Sequence, residues 1–305
     1  MGLEPAHGRL LLARLCRTQP MKGHHRLAAR RPAWSVPVGG GLLSHPISTV
    51  TGMVGEVQGS EAELPGWRLR VYPEAREAAG VFRASFDQRP GWRGNPGEAV
   101  NPERCQDAAA SRARGKFRRY TVANQLTRMG DVTYRGSGCQ DPLELREDMA
   151  TFFRNVRAGL GGRRIPYVWV PEWHKTDHGL HAHYAFGRYV RRSLLEAAWG
   201  RGFVHIQLIG DLPVGSTAVD EARQAARYLA KYIGKDFDKG RMAGLHRYEV
   251  GQGFQPREVV VRGVTLGEAI AHASEVMGGR PAEVSLSDEW PNWTGPSAVG
   301  LKWGA

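Results

Sequence analysis

The residues best suited to chemistry fall in three places. His181-Ala182-His183 lies in the alternating stretch HGLHAHYAF, residues 178–186. In a β-strand, residues two apart point to the same face, so both imidazoles would project side by side, about 7 Å apart at the backbone. Glu172 precedes them, across a turn-rich HKTDHG. Two adjacent antiparallel strands can bring that carboxylate beside the imidazoles. Two histidines, one carboxylate and open positions suit a divalent ion in Lewis-acid work, Mg²⁺ or Mn²⁺, the imidazoles leaning toward Mn²⁺. His174, Asp177 and His178 in or beside the turn are further donors, so the ligand set stays open at this stage. The plain alternative is that H-x-H is the polar face of an amphipathic strand.

The third place is RYLAKYIGK, residues 227–235. At 3.6 residues per turn, Ala222, Ala226, Leu229 and Ile233 form one narrow apolar stripe. Tyr228, Lys231 and Lys235 fall opposite it, and Tyr232 lies at the boundary. A phenol alone is a poor nucleophile, but cations or a polarised electrophile nearby make it a useful one. A lysine beside it can hold a phosphate. The alternative is an ordinary amphipathic helix, with tyrosine for packing and lysine for solvent.

These residues need elements to place them. FRRYTVANQLTRMGDVTY (117–134) reads as one or two strands, being rich in β-branched and aromatic residues. Residues 141–162 read as a helix, with Asp141 as cap, Pro142 at the first position, Leu145, Met149, Phe152, Phe153 and Val156 on one face, and Gly159 past the end. RIPYVWVPEW (164–173) is a strand that forms a hairpin with the histidine strand. A short helix at RRSLLEAAWGRG, a strand at FVHIQLIG (203–210) and a helix over 218–235 follow. The order βαββαβ, then α, predicts an α+β fold: a split-βαβ antiparallel sheet, an RRM-like palm, with helices on one face. Further on, a strand at 257–263, a helix at 265–277 and a loose Trp/Pro/Gly tail are expected. Gly/Pro/Arg-rich residues 1–115 show weak periodicity and read as a mostly disordered basic region. The expected division is thus 1–115, a catalytic domain over 116–240, and a C-terminal extension over 241–305.

Charge points to a polyanion. The chain of 305 residues carries +12, and 19 of its Lys and Arg face only 10 Asp and Glu within residues 1–119. A basic excess of this kind suggests nucleic acid before a membrane. Cys16, Cys105 and Cys139 are scattered, without C-x-x-C, which argues against a disulfide framework or a cysteine zinc site and for a reducing compartment. No apolar run approaches the roughly 18 residues of a membrane helix. No H-E-x-x-H occurs, which weakens a zinc-hydrolase reading.

Taken in order, a strand ending Val132-Thr133-Tyr134, then Glu172 with His181-Ala182-His183, then Tyr228-Leu229-Ala230-Lys231 resembles the HUH endonucleases. It is most similar to the rolling-circle replication initiators of bacterial plasmids and single-stranded DNA phages, over roughly residues 116–260. H-U-H matches His181-Ala182-His183, and the family's Y-x-x-K matches Tyr228 and Lys231. Tyr232 adds a second tyrosine, as in initiators resembling the phage replication A proteins. The tyrosine follows the H-U-H strand, whereas it precedes it in conjugative relaxases. The first motif departs from the usual F-x-T-L-T, with Gly130-Asp131 where an apolar-Thr pair is common, which leaves the roles in that strand open.

The resemblance implies metal-dependent nicking and rejoining of single-stranded or hairpin origin DNA through a 5′-phosphotyrosine. Its metal would sit on His181, His183 and Glu172. Tyr228 would attack, Tyr232 would serve as a second nucleophile, and Lys231 would steady the phosphate. Lys235, Arg118, Arg119, Arg163, Arg164, Arg191 and Arg192 are candidate DNA contacts. The protein would act in the bacterial cytoplasm, on DNA. No G-x-x-x-x-G-K-[ST] occurs, so a host helicase would unwind and a host polymerase would extend. An HUH transposase of an insertion element is the nearest alternative. A non-catalytic nucleic-acid-binding module on the same sheet is another.

Overall fold

The computed structural model describes residues 65–84, 102–176, 178–207, 209, 212–234, 244–290, 293 and 295–304. All of these residues lie within one compact unit, Gly59–Ala305. Its elements run β1 (Gly66–Tyr72), β2 (Glu77–Arg83), α1 (Pro102–Ala123), β3 (Arg128–Tyr134), α2 (Pro142–Gly159), β4 (Tyr167–Trp173) and β5 (Leu180–Phe186). There follow α3 (Arg192–Trp199), β6 (Gly202–Gln207), α4 (Ala218–Ala230), β7 (Glu249–Val250), β8 (Val259–Gly263), α5 (Leu266–Met277), β9 (Glu283–Leu286) and β10 (Ala298–Lys302). No helix among the described residues is long and apolar enough to cross a membrane.

The α+β expectation holds. β3-α2-β4-β5-α3-β6 is the split-βαβ unit, and its sheet has the order β6-β3-β5-β4-β7 with antiparallel neighbours throughout. Asp141 caps α2 by accepting from the Leu143 N–H at 2.8 Å, and Pro142 opens the helix, as its sequence requires. Leu145, Met149, Phe152, Phe153 and Val156 of α2 pack with Leu195, Ala198 and Trp199 of α3 on Val132, Trp169, Tyr184 and Phe186 of the sheet. Each large apolar side chain buried there contributes about 1.5–3 kcal/mol. Gly159 still belongs to α2, and the left-handed turn comes later, at Gly161 and Gly162.

The two connecting helices share one face, but α1 and α4 cover the other. Phe117 and Tyr120 of α1 pack with Ala225, Ala226 and Leu229 of α4 and with Val168, Val170 and Ala185 of the strands. All seven residues of β5 are buried as a result. A strand shielded on both faces can present polar side chains to a site only where the covering helices leave room.

Three further expectations are corrected. Residues 117–123 are the end of α1, not a strand. Ala113, Phe117 and Tyr120 recur at helical spacing, and that period outweighs β-branched composition. Residues 66–83 and 102–115 are regular, within the region read as disordered. Short strands split by Pro73, and a helix rich in arginine, bury too little apolar surface to be conspicuous in sequence. The C-terminal stretch is no appendage either. β7 pairs with β4 of the first sheet, and β8, β9 and β10 join β1 and β2 in a second sheet of order β8-β1-β2-β10-β9. α5 packs on that sheet through Ala269 and Ala273. A boundary at 115/116 therefore cuts α1, and one at 240/241 separates β7 from its sheet.

Candidate active site

The site is built on the β4–β5 hairpin. Its register pairs Glu172 with His181 and Val170 with His183. Alternation then sends Glu172, His181 and His183 to the face under α4, while Ala182 and Tyr184 enter the core under α2. Gly179, at φ 83°, immediately precedes β5, where a Cβ would strike the Cys139 carbonyl oxygen, the acceptor of the Leu180 N–H at 2.7 Å. Only glycine fits this junction, which fixes where the histidine strand begins.

Three donor atoms converge. Glu172 Oε2 lies 2.8 Å from His183 Nε2 and 3.2 Å from His181 Nε2, and the two Nε2 atoms are 3.2 Å apart. All three residues are buried. Cis ligands around an ion with bonds near 2.1 Å are about 3.0 Å apart in octahedral geometry, so the triangle matches one face of such a shell. Nitrogen and carboxylate donors with three positions left open suit a divalent first-row ion, and Mn²⁺ better than Mg²⁺. The residues fit the expected metal. The remaining donors near the turn are engaged elsewhere. His178 Nε2 is 2.7 Å from the Tyr134 carbonyl oxygen, and His174 Nδ1 is 2.7 Å from Thr176 Oγ1. Asp177 lies outside the described residues.

The tyrosines meet the triad. Thr217 and Asp220 form a capping box that starts α4. Ala222, Ala225, Ala226 and Leu229 seat its apolar stripe, as the sequence pattern requires. The helix ends at Ala230, earlier than expected. Its last turn tightens to i→i−3 bonds: Lys231 N–H to the Tyr228 carbonyl, Tyr232 N–H to Leu229 and Ile233 N–H to Ala230. Tyr232 stacks on His183, ring centroids 4.0 Å apart and 15° from parallel. Its hydroxyl donates to Tyr228 Oη at 3.1 Å. Burial, then the hydrogen bond to Tyr228, then the nearby Tyr228, Glu172 and Asp131 raise the Tyr232 phenol well above its ordinary range. Lys231 Nζ sits over the Tyr228 ring, 5.2 Å from its centroid. Lys235 lies outside the described residues.

One neighbour escaped sequence reasoning. Asp131 of β3 is opposite both His183 and His205, and its carboxylate is 3.3 Å from His205 Nδ1. Alternation beside Gly130 was the available signal. The glycine has a packing cause: a Cβ at 130 would meet Tyr184 Oη at 2.5 Å and the His205 carbonyl oxygen closer still.

The arginine candidates lie away from the triad. Arg191 and Arg192 open α3 on the opposite face, and Arg192 pairs with Glu196 at 2.7 Å. Arg163 and Arg164 lie between α2 and β4, and Arg164 bonds the Gln252 carbonyl. Arg118 holds Glu77 at 2.8 and 3.1 Å, and Arg119 reaches the same carboxylate at 3.4 Å.

Comparison with known proteins agrees with this geometry. A family model described as "Replication-associated protein ORF2/G2P" matches residues 127–237, a segment that runs from β3 past α4 and holds the triad and both tyrosines. No curated protein and no solved structure matches. Over residues 127–237 the chain is thus similar to a replication-associated family, which supports a rolling-circle relationship for that segment.

Proposed function

We propose that the protein initiates rolling-circle replication by nicking and rejoining single-stranded or hairpin origin DNA. The observation that carries this reading is the tyrosine pair on the Glu172–His181–His183 triangle, with Tyr232 stacked on His183. Glu172, His181 and His183 would hold a divalent ion, which would supply Lewis-acid polarisation of the scissile phosphate and charge neutralisation. The protein's own groups do the rest. Tyr232, kept protonated by burial, donates to Tyr228 Oη and stabilises the phenolate forming there. Lys231 adds positive charge beside the same ring. As Tyr228 Oη bonds to phosphorus and the P–O3′ bond breaks, the phenol gives up its proton and the departing O3′ takes one up, which leaves a 5′-phosphotyrosine and a free 3′-OH. That 3′-OH primes a host polymerase, and a host helicase opens the duplex. Tyr232, one hydrogen bond away, would carry out the second transesterification. The setting is the bacterial cytoplasm.

Covalent capture tests this. The protein is incubated with Mn²⁺ and single-stranded, hairpin-bearing oligonucleotides from its own replicon, and adducts are resolved on a denaturing gel. An adduct abolished by EDTA and by Tyr228→Phe is expected, with Tyr232→Phe slowing strand rejoining. DNA binding without an adduct under every condition would replace the enzyme with a binding module.

A further inference from the structure

Outside the family segment, a groove of about 1100 Å³ runs between the second sheet and α1. Its floor is the sheet face turned away from α5. Leu69 and Val71 of β1 pack under α5, so alternation turns Arg68, Arg70 and Tyr72 into the groove. Arg83 of β2 joins them. The wall is α1, which contributes Arg112, Arg114 and Lys116, all exposed, with Arg118 and Arg119 beyond. Among the described residues, the only carboxylate in the lining is Glu258, 3.3 Å from Arg70. Arg118 and Arg119 are anchored on Glu77, but Arg112, Arg114 and Lys116 make no ion pair among the described residues, and Arg68 Nε is buried without a hydrogen bond. Trp290 and Trp293 also line it as an edge-to-face pair, centroids 5.2 Å apart, and Trp293 is 43% exposed.

We propose that this groove holds a single DNA strand, separately from the cleavage site. Uncompensated cations crowded on one recess repel each other, and a polyanion relieves them. The volume exceeds the roughly 300–1,000 Å³ of small-molecule sites. A cationic track lined also by exposed tryptophan is the arrangement that binds a strand through phosphates and base stacking. In duplex DNA the bases are stacked on each other and closed to these rings.

The test uses the full chain carrying Tyr228→Phe and Tyr232→Phe, in EDTA, so that cleavage plays no part. A fluorescein-labelled oligothymidylate and a duplex of equal length are titrated at several salt concentrations. The single strand is expected to bind tighter than the duplex and to quench tryptophan fluorescence, with the quench lost in Trp293→Phe. Each single-strand phosphate neutralised contributes about 0.7 to the salt slope, so replacing Arg112, Arg114 and Lys116 by Gln should lower it by about 2. Between 50 and 200 mM salt that is about a 20-fold smaller loss of affinity. These three residues are exposed, so the fold should persist, and using Arg112→Lys instead of Arg112→Gln in the triple variant should keep one unit of charge and its share of the slope. An unchanged slope in the triple variant, or duplex bound as tightly as single strand without quenching, overturns the assignment. Loss of adducts in the capture assay with this binding intact would sink only the nicking reading.

Discussion

Replacing Gly130 by alanine puts a methyl group where the sheet has no room. Ordinary contact begins near 3.4 Å, and the new Cβ would sit 2.5 Å from Tyr184 Oη and 2.6 Å from Tyr184 Cζ. The ring must retreat by about 0.9 Å, into a core of Phe152 and Phe186 that already contacts it at 5.6 and 5.2 Å between centroids. The His205 carbonyl is backbone in the neighbouring strand and cannot turn aside without loosening the β3–β6 ladder. Overpacking costs about 1–3 kcal/mol, and two weakened ladder bonds add about 0.5–1.5 each, so Gly130→Ala should destabilise by about 2–6 kcal/mol. Tyr184 Oη is buried without a hydrogen bond, so Tyr184→Phe alone should be neutral or stabilising by up to about 1 kcal/mol. The double variant should recover about 1 kcal/mol, since Cζ and the carbonyl still obstruct. Urea unfolding by linear extrapolation gives all three values. A Gly130→Ala cost under about 1 kcal/mol, or strict additivity in the cycle, would refute this account of the glycine.

Mn²⁺ should raise the thermal midpoint, by about 2.7 kcal/mol of added stability at a hundredfold excess over its dissociation constant, and His183→Ala should remove the shift in a thermal melt. Leu229→Ala should cost about 2–5 kcal/mol in denaturant, because Leu229 is 1% exposed beneath the tyrosines. Thr217→Ala should cost about 1 kcal/mol at neutral pH. The Thr217 backbone and hydroxyl bonds hold the Asp220 carboxyl below its usual range, so the box acts fully above the ordinary carboxylate pKa and fades as pH falls through the lowered value, and native and variant unfolding midpoints should converge in acid. Seven of the nine tyrosines are held above their ordinary range, chiefly by burial. Their neutral forms stabilise the fold fully below about pH 10 and lose that contribution above it, so tyrosinate absorbance should rise together with unfolding in an alkaline titration.

The site was more legible than the frame around it. His181 and His183 announce their shared face through alternation, and Tyr228 and Lys231 through the helical stripe opposite Ala226 and Leu229. Those are local periods, and local periods survive into the fold. Asp131 was visible only as an oddity, because its meaning depends on a strand pairing that joins residues 131, 183 and 205. The second sheet was illegible for the same reason. β1 and β2 find their partners in β8 and β10, nearly two hundred residues or more along the chain, and neither pair shows any common signal before it is assembled. Phe117 and Tyr120 misled through composition, since aromatic content says strand while their spacing with Ala113 says helix.

The tightened turn after Ala230 gives the two tyrosines different mechanical footing. Under the proposed chemistry, a strand joined to the protein is also a tether, and replication pulls on it. A load applied at Tyr228 runs along α4 into Ala225, Ala226 and Leu229, all buried, and is spread through the sheet. A load at Tyr232 falls on one turn held by three i→i−3 bonds and by the buried Ile233. The helix residue is the stiffer mooring, and the turn residue is the more compliant one, suited to releasing a strand and taking up the next.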